Sequence, residues 1–250
     1  MMTGLPDLNK GEEKQSQSSR RLILFLIIIT SFINPFLGAA INIALPSISE
    51  EFNMGAVGMS WIAMAFLLSS AVFLVPLGKL ADIRGRKKVF LLGNLIITLS
   101  SLFCALAWSG GMLIAFRTLQ GIGSAMVFGT GVAIITSVYP PKERGKAIGF
   151  TVTSVYLGLS LAPFLGGILT QYLGWRSIFY ATIPFELAVV WITWRYIREE
   201  WADARGEKFD LSGAIIYVFS MSAFMFGFSK MPSAPAIILA LGGVLGLVFF

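Results

Sequence analysis

Long apolar runs separated by short polar segments make up most of this chain. Eight such runs lie at about 22–44, 57–78, 89–107, 111–136, 147–170, 177–197, 211–229 and 234–250. Most of them approach the roughly 20 residues that a helix needs to cross a hydrocarbon core of about 30 Å. The pattern therefore predicts an all-α membrane protein with eight transmembrane helices.

The polar segments divide the chain into regions. Residues 1–20 are mostly polar, which predicts a disordered tail, and residues 199–210 form a polar linker after the sixth run. Residues 21–198 then make a six-helix bundle, and residues 211–250 add a seventh and an eighth helix. Because the chain ends at Phe250, inside the eighth apolar run, we expect a fragment or a truncated reading frame.

The composition supports a membrane protein and excludes several functions. Hydrophobic residues make up 56% of the chain and charged residues 13%, whereas soluble domains carry about 25% charged residues. The chain has no His and a single Cys, so neither an imidazole site nor an internal disulfide is possible. No metal-ligand cluster and no nucleophile–base set is evident, which argues against an enzyme.

The basic residues predict the orientation in the membrane. Sixteen of the nineteen Lys and Arg lie in the tail and in the segments after the second, fourth and sixth runs. Only Arg176 and Lys230 lie on the other side, and Arg117 lies within a span. By the positive-inside rule, the protein is a multi-pass protein of the cell membrane with a cytoplasmic N-terminus. Since these cations occupy loops between spans, they do not indicate nucleic-acid binding.

A short internal repeat suggests two related units of opposite topology. One spacing is shared by two sets of four residues: Gly78, Leu80, Gly85 and Lys87, and Gly167, Leu169, Gly174 and Arg176. The first set follows span two, and the second follows span five, so the two sets fall on opposite sides of the membrane. Two inverted three-helix repeats are typical of many transporter folds.

Several polar or small residues lie within the spans, where a bilayer makes polar groups costly. They are Asn34 and Asn42 in span one, Arg117, Gln120 and Gly121 in span four, and Glu186 in span six. The asparagines could either bond neighbouring helices or line a substrate cavity. Arg117 could either be held by backbone carbonyls or respond to substrate and proton movement. Glu186, near the midplane, could either carry a proton or bond a neighbouring helix as a neutral acid.

Two further stretches have a distinctive chemistry. In span five, Gly158, Ala162 and Gly166 recur every fourth residue, which lets two helix backbones approach closely, while Pro163 can kink the helix. The segment GKLADIRGRKK at 78–88 contains an acid among five cations. The positive-inside rule explains the cations of this loop, but it does not explain Asp82. This acid therefore suggests a latch that forms in one conformation and breaks in another.

These stretches resemble signatures of the major facilitator superfamily. The segment at 78–88 is similar to the signature between helices two and three, with Gly78, Leu80, Asp82, Gly85, Arg86 and Lys87 in place. Span four resembles the helix-four signature through Arg117, Gln120, Gly121 and Gly123. Span five resembles the helix-five antiporter signature through Gly158, Pro163, Gly166 and Gly167, with Ala162 where Gly is usual. NIALP at 42–46 and FDLSG at 209–213 are similar to the fourteen-helix drug:proton antiporter branch.

The resemblance implies a secondary transporter that exports small amphipathic or cationic compounds by alternating access. Its energy source would be the proton gradient, with no metal or other cofactor. The turn would act as the conformational latch through Gly78, Asp82, Gly85, Arg86 and Lys87. Arg117 would couple to the proton, residues 158–167 would form the helix-five seam, and 211–250 would be the extra helix pair. The expected partners are the bilayer, a small-molecule substrate, protons and a C-terminal bundle that this chain lacks.

Two departures from the branch leave alternatives open. Leu37 occupies the position where the branch commonly has an acid on helix one, and Glu186 stands where a small residue is frequent. Proton coupling through helix one is therefore in question. The alternatives are a uniporter or metabolite importer of the same superfamily, and a membrane-embedded assembly subunit that transports nothing by itself.

Overall fold

The fold is all-α, as the sequence predicted. The computed structural model describes residues 5–230 and 232–249, with side chains from Gln17 to Lys230 and from Pro232 to Val248. Within this part, the helices are α1 (Leu5–Phe52), α2 (Ala56–Arg84), α3 (Arg86–Ala105), α4 (Gly110–Val138), α5 (Pro141–Leu173), α6 (Ser177–Tyr196), α7 (Leu211–Ser229) and α8 (Ala234–Phe249). Seven of them are long and apolar enough to cross a membrane. The eighth, α8, is described over 16 residues, which is about 24 Å and shorter than a bilayer core.

The first helix is much longer than its apolar run. It begins at Leu5, so the backbone of residues 5–20 is helical where the sequence predicted a disordered tail. The physical reason is that this segment is rich in Glu, Lys, Gln and Arg, which are strong helix formers despite their polarity. Residues 1–4, which belong to the same predicted tail, lie outside the described residues.

Glycines with positive φ separate the helices at two corresponding turns. Gly85 joins α2 to α3 with φ of 115°, and Gly174 ends α5 with φ of 79°. A side chain is strained in this backbone region, so glycine permits an abrupt reversal there. Both glycines are positions of the internal repeat, and each lies two residues before the cation of its repeat.

The six bundle helices form two three-helix units, α1–α3 and α4–α6, which pack mainly on each other. Helix α2 packs along α4, whereas α5 packs along α1, and α3 lies against both α4 and α6. If α1–α3 are superposed on α4–α6 by chain order, the α2–α4 contact corresponds to the α5–α1 contact, as inverted repeats require. Helices α7 and α8 pack on each other and touch the bundle at α2, where the rings of Trp61 and Phe226 lie 5.6 Å apart.

Candidate functional site

The turns define two ends of the bundle. We call one end of the bundle the basic end, because cations cluster there beside the α2–α3 turn, at the start of α5 and in residues 197–210. The opposite end has the turns α1–α2, α3–α4 and α5–α6. Most of the site residues predicted from the sequence fall into three places: the α2–α3 turn at the basic end, a polar chain inside the bundle, and the contact between α1 and α5.

The α2–α3 turn is built around the guanidinium of Arg86. Its Nε and Nη2 lie 2.8 and 2.7 Å from Oδ1 of Asp82, one helical turn earlier in the sequence. Nη2 also lies 2.7 Å from Oδ2 of Asp203, and Nη1 donates to Oγ of Ser137 at 2.7 Å. The Arg86 side chain is only 9% exposed, whereas those of Asp82 and Asp203 are 37% and 71% exposed, so a buried cation is held by two carboxylates that remain open to solvent.

The segment 197–210 lies directly on this turn. The backbone N–H of Arg86 donates to the carbonyl of Trp201 at 2.7 Å, and that of Ala204 donates to the carbonyl of Asp82 at 3.0 Å. An ion pair between Lys79 and Glu207, with a separation of 2.6 Å, adds a contact at its far end. The segment that we predicted as a simple linker therefore supplies partners to the predicted latch.

Gly85 has no alternative at its position in this turn. Its φ of 115° disfavours any side chain, and a Cβ atom there would also overlap the side chain of Glu200. That carboxylate accepts a hydrogen bond from the backbone N–H of Lys87 at 2.8 Å. By contrast, a Cβ at Gly78 would meet no heavy atom within 4 Å. The structure thus gives Gly85 a steric role in the turn, whereas Gly78 is open.

A chain of polar side chains crosses the interior of the bundle. Nη1 of Arg117 donates to Oε1 of Gln120, and Nε2 of Gln120 donates to Oγ of Ser101 at 2.8 Å. Oγ of Ser101 then donates to Oε1 of Glu186 at 3.3 Å. All four side chains are at most 2% exposed. The chain joins α4, α3 and α6, and every donor in it points from Arg117 toward Glu186.

Two atoms at the ends of this chain have no partner. They are Nη2 of Arg117 and Oε2 of Glu186. The Arg117 guanidinium is otherwise held by the carbonyl of Ile62, 3.3 Å from Nε, and by the ring of Phe66, 4.4 Å from its central carbon. Because buried polar groups are normally hydrogen-bonded, two unpaired atoms at the two charged ends suggest exchange with a proton, water or ligand.

The other predicted cavity residues are not part of this chain. Asn34 is buried and donates to the carbonyl of Thr30 at 3.0 Å, while its Oδ1 has no partner. Asn42 is exposed and makes a long 3.5 Å contact to Gly38. A Cβ at Gly121 would overlap Oγ of Ser69 on α2, so this glycine allows the close α2–α4 contact.

The small residues of α5 face α1. Gly158, Ala162 and Gly166 are buried, and a Cβ on Gly166 would lie 2.9 Å from the Cβ of Ala40. A Cβ on Gly158 would overlap the carbonyl oxygen of Phe32. Pro163 is exposed, and a Cβ on Gly167 would lie 4.0 Å from the nearest atom, a methyl of Ile43. The close contact with α1 is therefore made by Gly158, Ala162 and Gly166, whereas Pro163 and Gly167 lie beside it.

Sequence reasoning missed two contributors to the site. Ser101 bridges Gln120 and Glu186, and the available signal was its spacing from Asn94 and Thr98, which places three polar residues on one face of α3. Asp203 pairs with Arg86 from 117 positions away in the chain. A cluster of acids at 199–207 opposite the basic turn was the available signal, and charge complementarity could have suggested the contact.

A second ionic cluster closes the opposite end. Arg176 makes two contacts to Glu51, at 2.7 Å from Nη1 to Oε2 and at 2.6 Å from Nη2 to Oε1. Nε1 of Trp175 donates to Oε2 of the same carboxylate at 2.8 Å, and Nη2 of Arg176 donates to the carbonyl of Ala107. The cluster ties α1, the α3–α4 turn and the α5–α6 turn together.

Comparison with known proteins gives a consistent result. The sequence profile of the Major Facilitator Superfamily matches residues 27–250. The multidrug resistance protein Stp of Mycobacterium tuberculosis (strain ATCC 25618 / H37Rv) is 35% identical over 210 residues, which are 84% of this chain and 38% of Stp. The riboflavin transporter RibZ of Clostridioides difficile (strain 630) is 30% identical over 196 residues, which are 78% of this chain and 43% of RibZ. The methylenomycin A resistance protein of Bacillus subtilis (strain 168) is 27% identical over 249 residues, which are 97% of this chain and 53% of that protein.

Solved structures share the fold. A bacterial homologue of the human lysosomal transporter Spinster, in an inward-facing and unoccupied conformation, aligns with a TM-score of 0.64 at 22% identity. The alignment covers 92% of this chain and 60% of that one. Among the three curated relatives named above, the chain spans only 38% to 53% of their length.

Proposed function

The chain belongs to the major facilitator superfamily, whose members are membrane transporters and not enzymes, and we propose that the whole protein is a proton-coupled exporter of small amphipathic or cationic compounds. Export is supported by the relatives, since Stp and the methylenomycin A resistance protein are both resistance proteins. We also propose that it resides in the cell membrane with the basic end in the cytoplasm, because the cations are concentrated there.

The observation that carries proton coupling is the buried chain from Arg117 to Glu186. The unpaired Oε2 of Glu186 is free to take a proton while Oε1 continues to accept from Ser101. Proton uptake would therefore neutralise the acid without breaking the hydrogen-bond chain. Proton release would leave a buried negative charge, joined to the Arg117 cation only through Gln120 and Ser101.

This difference in charge would act on the helices that hold the chain. A buried ion attracts an opposite charge strongly because the surrounding dielectric is low. In the ionised state, α6 is attracted toward α4, and in the protonated state this attraction is lost. We propose that the change in α6–α4 attraction favours one side of an alternating-access cycle, which a whole protein with a second bundle would complete.

The Arg86 turn would act as the latch of that cycle. Arg86 already binds two carboxylates, one on α2 and one on the segment 197–210. This segment leads directly into α7, so any motion of the following helices is transmitted to the turn. Opening of the latch would expose the cation, and closing would bury it again between Asp82 and Asp203.

A transport assay with the full gene product tests the proposal. Cells without their own efflux pumps are loaded with a fluorescent cationic dye, and energised efflux is followed with and without a protonophore. We expect efflux that stops when the gradient collapses, and no efflux in an Arg117→Leu variant that is still present in the membrane. Efflux that continues in the protonophore would refute proton coupling.

A uniporter or metabolite importer is a second candidate, supported by one residue and one relative. Leu37, at the usual acidic position on helix one, is 1% exposed and packed in the apolar core. RibZ, a riboflavin transporter, is one of the similar proteins. Substrate uptake down its own gradient, with no accompanying change in pH, would favour this candidate over the exporter.

A further inference from the structure

Beside the polar chain, the bundle carries two cavities that the proposed transport does not use. The first has a volume of about 370 Å³ and lies at the basic end between residues 17–24 of α1 and the start of α5. Three cations line it: Arg20, Arg21 and Lys146. The second is an apolar groove of about 580 Å³ between α1, α5 and α6.

The two cavities follow the same two helices. On α5, the basic pocket is lined by Lys146 and Phe150, and the groove begins with Ser154, one turn further on. On α1, the pocket ends with Leu24 and the groove begins with Ile28, again one turn away. One turn is about 5.4 Å, so the two cavities follow one another along α1 and α5 at a distance of about one turn.

The groove offers no unsatisfied polar group to a ligand. Its two hydroxyls, on Ser154 and Thr182, donate to the backbone carbonyls of Phe150 and Phe179, each at 2.9 Å. The remaining eleven lining residues are aliphatic or aromatic. An occupant must therefore be apolar along this part of its length.

The dimensions suit a hydrocarbon chain. The groove extends along α5 from Ser154 to Leu169, which is about 22 Å at 1.5 Å per residue. One leaflet of a bilayer contributes about 15 Å of hydrocarbon, so an acyl chain that spans one leaflet fits within the length of the groove. Helices α5 and α6 pack only weakly on each other, so the groove is accessible from the side between them.

The charges of the pocket specify the other end of the occupant. Three cations and one acid, Glu143, give the pocket a net charge of about +2, which attracts the negative charge of a phosphodiester. Tyr139 stiffens its wall by donating to the backbone carbonyl of Arg20 at 3.0 Å. The Glu143 carboxylate can accept from hydroxyl groups of a headgroup. Basic pockets between transmembrane helices are typical binding sites for anionic lipid headgroups.

We propose that this pocket and groove form a binding site for one anionic phospholipid, such as phosphatidylglycerol. Its phosphate binds Arg20, Arg21 and Lys146, and one acyl chain lies in the groove between α5 and α6. The lipid would fill the gap that the weak α5–α6 contact leaves. The site shares no residue with the Arg117 chain, although Thr182 of the groove lies next to Glu186, and lipid binding does not depend on the proposed transport activity.

Native mass spectrometry of the 250-residue chain in detergent tests this assignment. Phosphatidylglycerol and phosphatidylethanolamine with the same acyl chains are titrated, and their dissociation constants are compared. We expect phosphatidylglycerol to bind at least tenfold more tightly. Equal affinity for the two lipids would overturn the proposal, because the site would then not select for charge. Binding of soluble glycerol phosphate as tight as that of phosphatidylglycerol would also overturn it, because the acyl chain would then contribute nothing.

Matched variants separate the site from general attraction to a basic surface. In the site variant, Gln replaces Arg20, Arg21 and Lys146, and in the control variant Gln replaces the exposed cations Arg84, Lys88 and Lys208 at the same end. Each of the three cations that line the pocket should contribute about fivefold in affinity through its contact with the phosphate, so the site variant should lose about hundredfold. The control should bind as the unchanged chain does. Equal losses in both variants would refute the site.

Two single substitutions keep the test decisive if the triple variant does not fold. Lys146 lines the pocket, whereas Lys142, one turn earlier on α5 and also exposed, does not. Lys146→Gln should weaken phosphatidylglycerol binding by about fivefold, and Lys142→Gln should leave it unchanged. The reverse order, or no effect of either substitution, would contradict the proposal.

Discussion

The contact between α5 and α1 at Gly166 allows a quantitative test of the packing. A Cβ added at Gly166 would lie 2.9 Å from the Cβ of Ala40 and 3.2 Å from its Cα. Carbon atoms pack best at about 3.5–4.0 Å, so the added methyl is roughly 0.6–1.1 Å too close. Neither atom of Ala40 can rotate away, because both are attached directly to the α1 backbone. Gly166→Ala therefore requires the two helices to separate.

The neighbouring glycine provides the control. A Cβ at Gly167 would lie 4.0 Å from a methyl of Ile43, which is an ordinary contact. Both substitutions gain the same intrinsic helix preference of Ala over Gly, about 0.5–1 kcal/mol, and this gain cancels in their difference. Overpacking costs about 1–3 kcal/mol. We therefore expect Gly166→Ala to be less stable than Gly167→Ala by about 1–3 kcal/mol.

Reversible unfolding in mixed detergent micelles measures this difference. Increasing amounts of a denaturing detergent are added, and the loss of helicity is followed by circular dichroism for both variants and the unchanged chain. Gly167→Ala should be at least as stable as the unchanged chain. Equal free energies of unfolding for the two variants would refute the close α1–α5 contact.

Three further predictions follow from the site. Gln120→Leu removes the middle of the buried chain and leaves two polar neighbours unpaired, so the free energy of unfolding should fall by about 2–5 kcal/mol; a loss under 1 kcal/mol would contradict the hydrogen bonds. Gly85→Ala should destabilise the chain by about 1–3 kcal/mol because of its positive φ, whereas Gly78→Ala should be neutral or better in the same assay. Arg176→Lys loses the two-pronged contact to Glu51 at a half-exposed site, so a loss of about 0.5–1 kcal/mol that shrinks in high salt is expected; a salt-independent loss would rule out the ion pair.

The helices and the seam could be predicted from the sequence because each depends on local spacing. Apolar runs of sufficient length predict spans without knowledge of any partner. Small residues at every fourth position, such as Gly158, Ala162 and Gly166, likewise lie on one face of a helix. The same local reasoning identified Arg117 and Glu186, since an ionisable group in a span is conspicuous wherever it points.

Contacts between distant segments could not be predicted in this way. Ser101 acquires its role only when α3 is packed between α4 and α6, because its spacing from Asn94 and Thr98 indicates a shared polar face but not the partners of that face. The docking of 197–210 onto the α2–α3 turn depends on where α6 ends in space. The helix from Leu5 differs for another reason, since the polarity of residues 5–20 predicts disorder whereas their Glu, Lys, Gln and Arg are good helix formers.

The most direct test of proton coupling is the proton flux that accompanies transport. The full gene product is reconstituted into vesicles that contain a pH-sensitive dye, and substrate-induced proton movement is compared between the unchanged protein and Glu186→Gln. Gln keeps the size of the side chain and an acceptor for Ser101, but it carries no exchangeable acid. The proposed mechanism predicts that Glu186→Gln exchanges substrate across the membrane without moving protons. Unchanged substrate-induced proton flux in Glu186→Gln would contradict it.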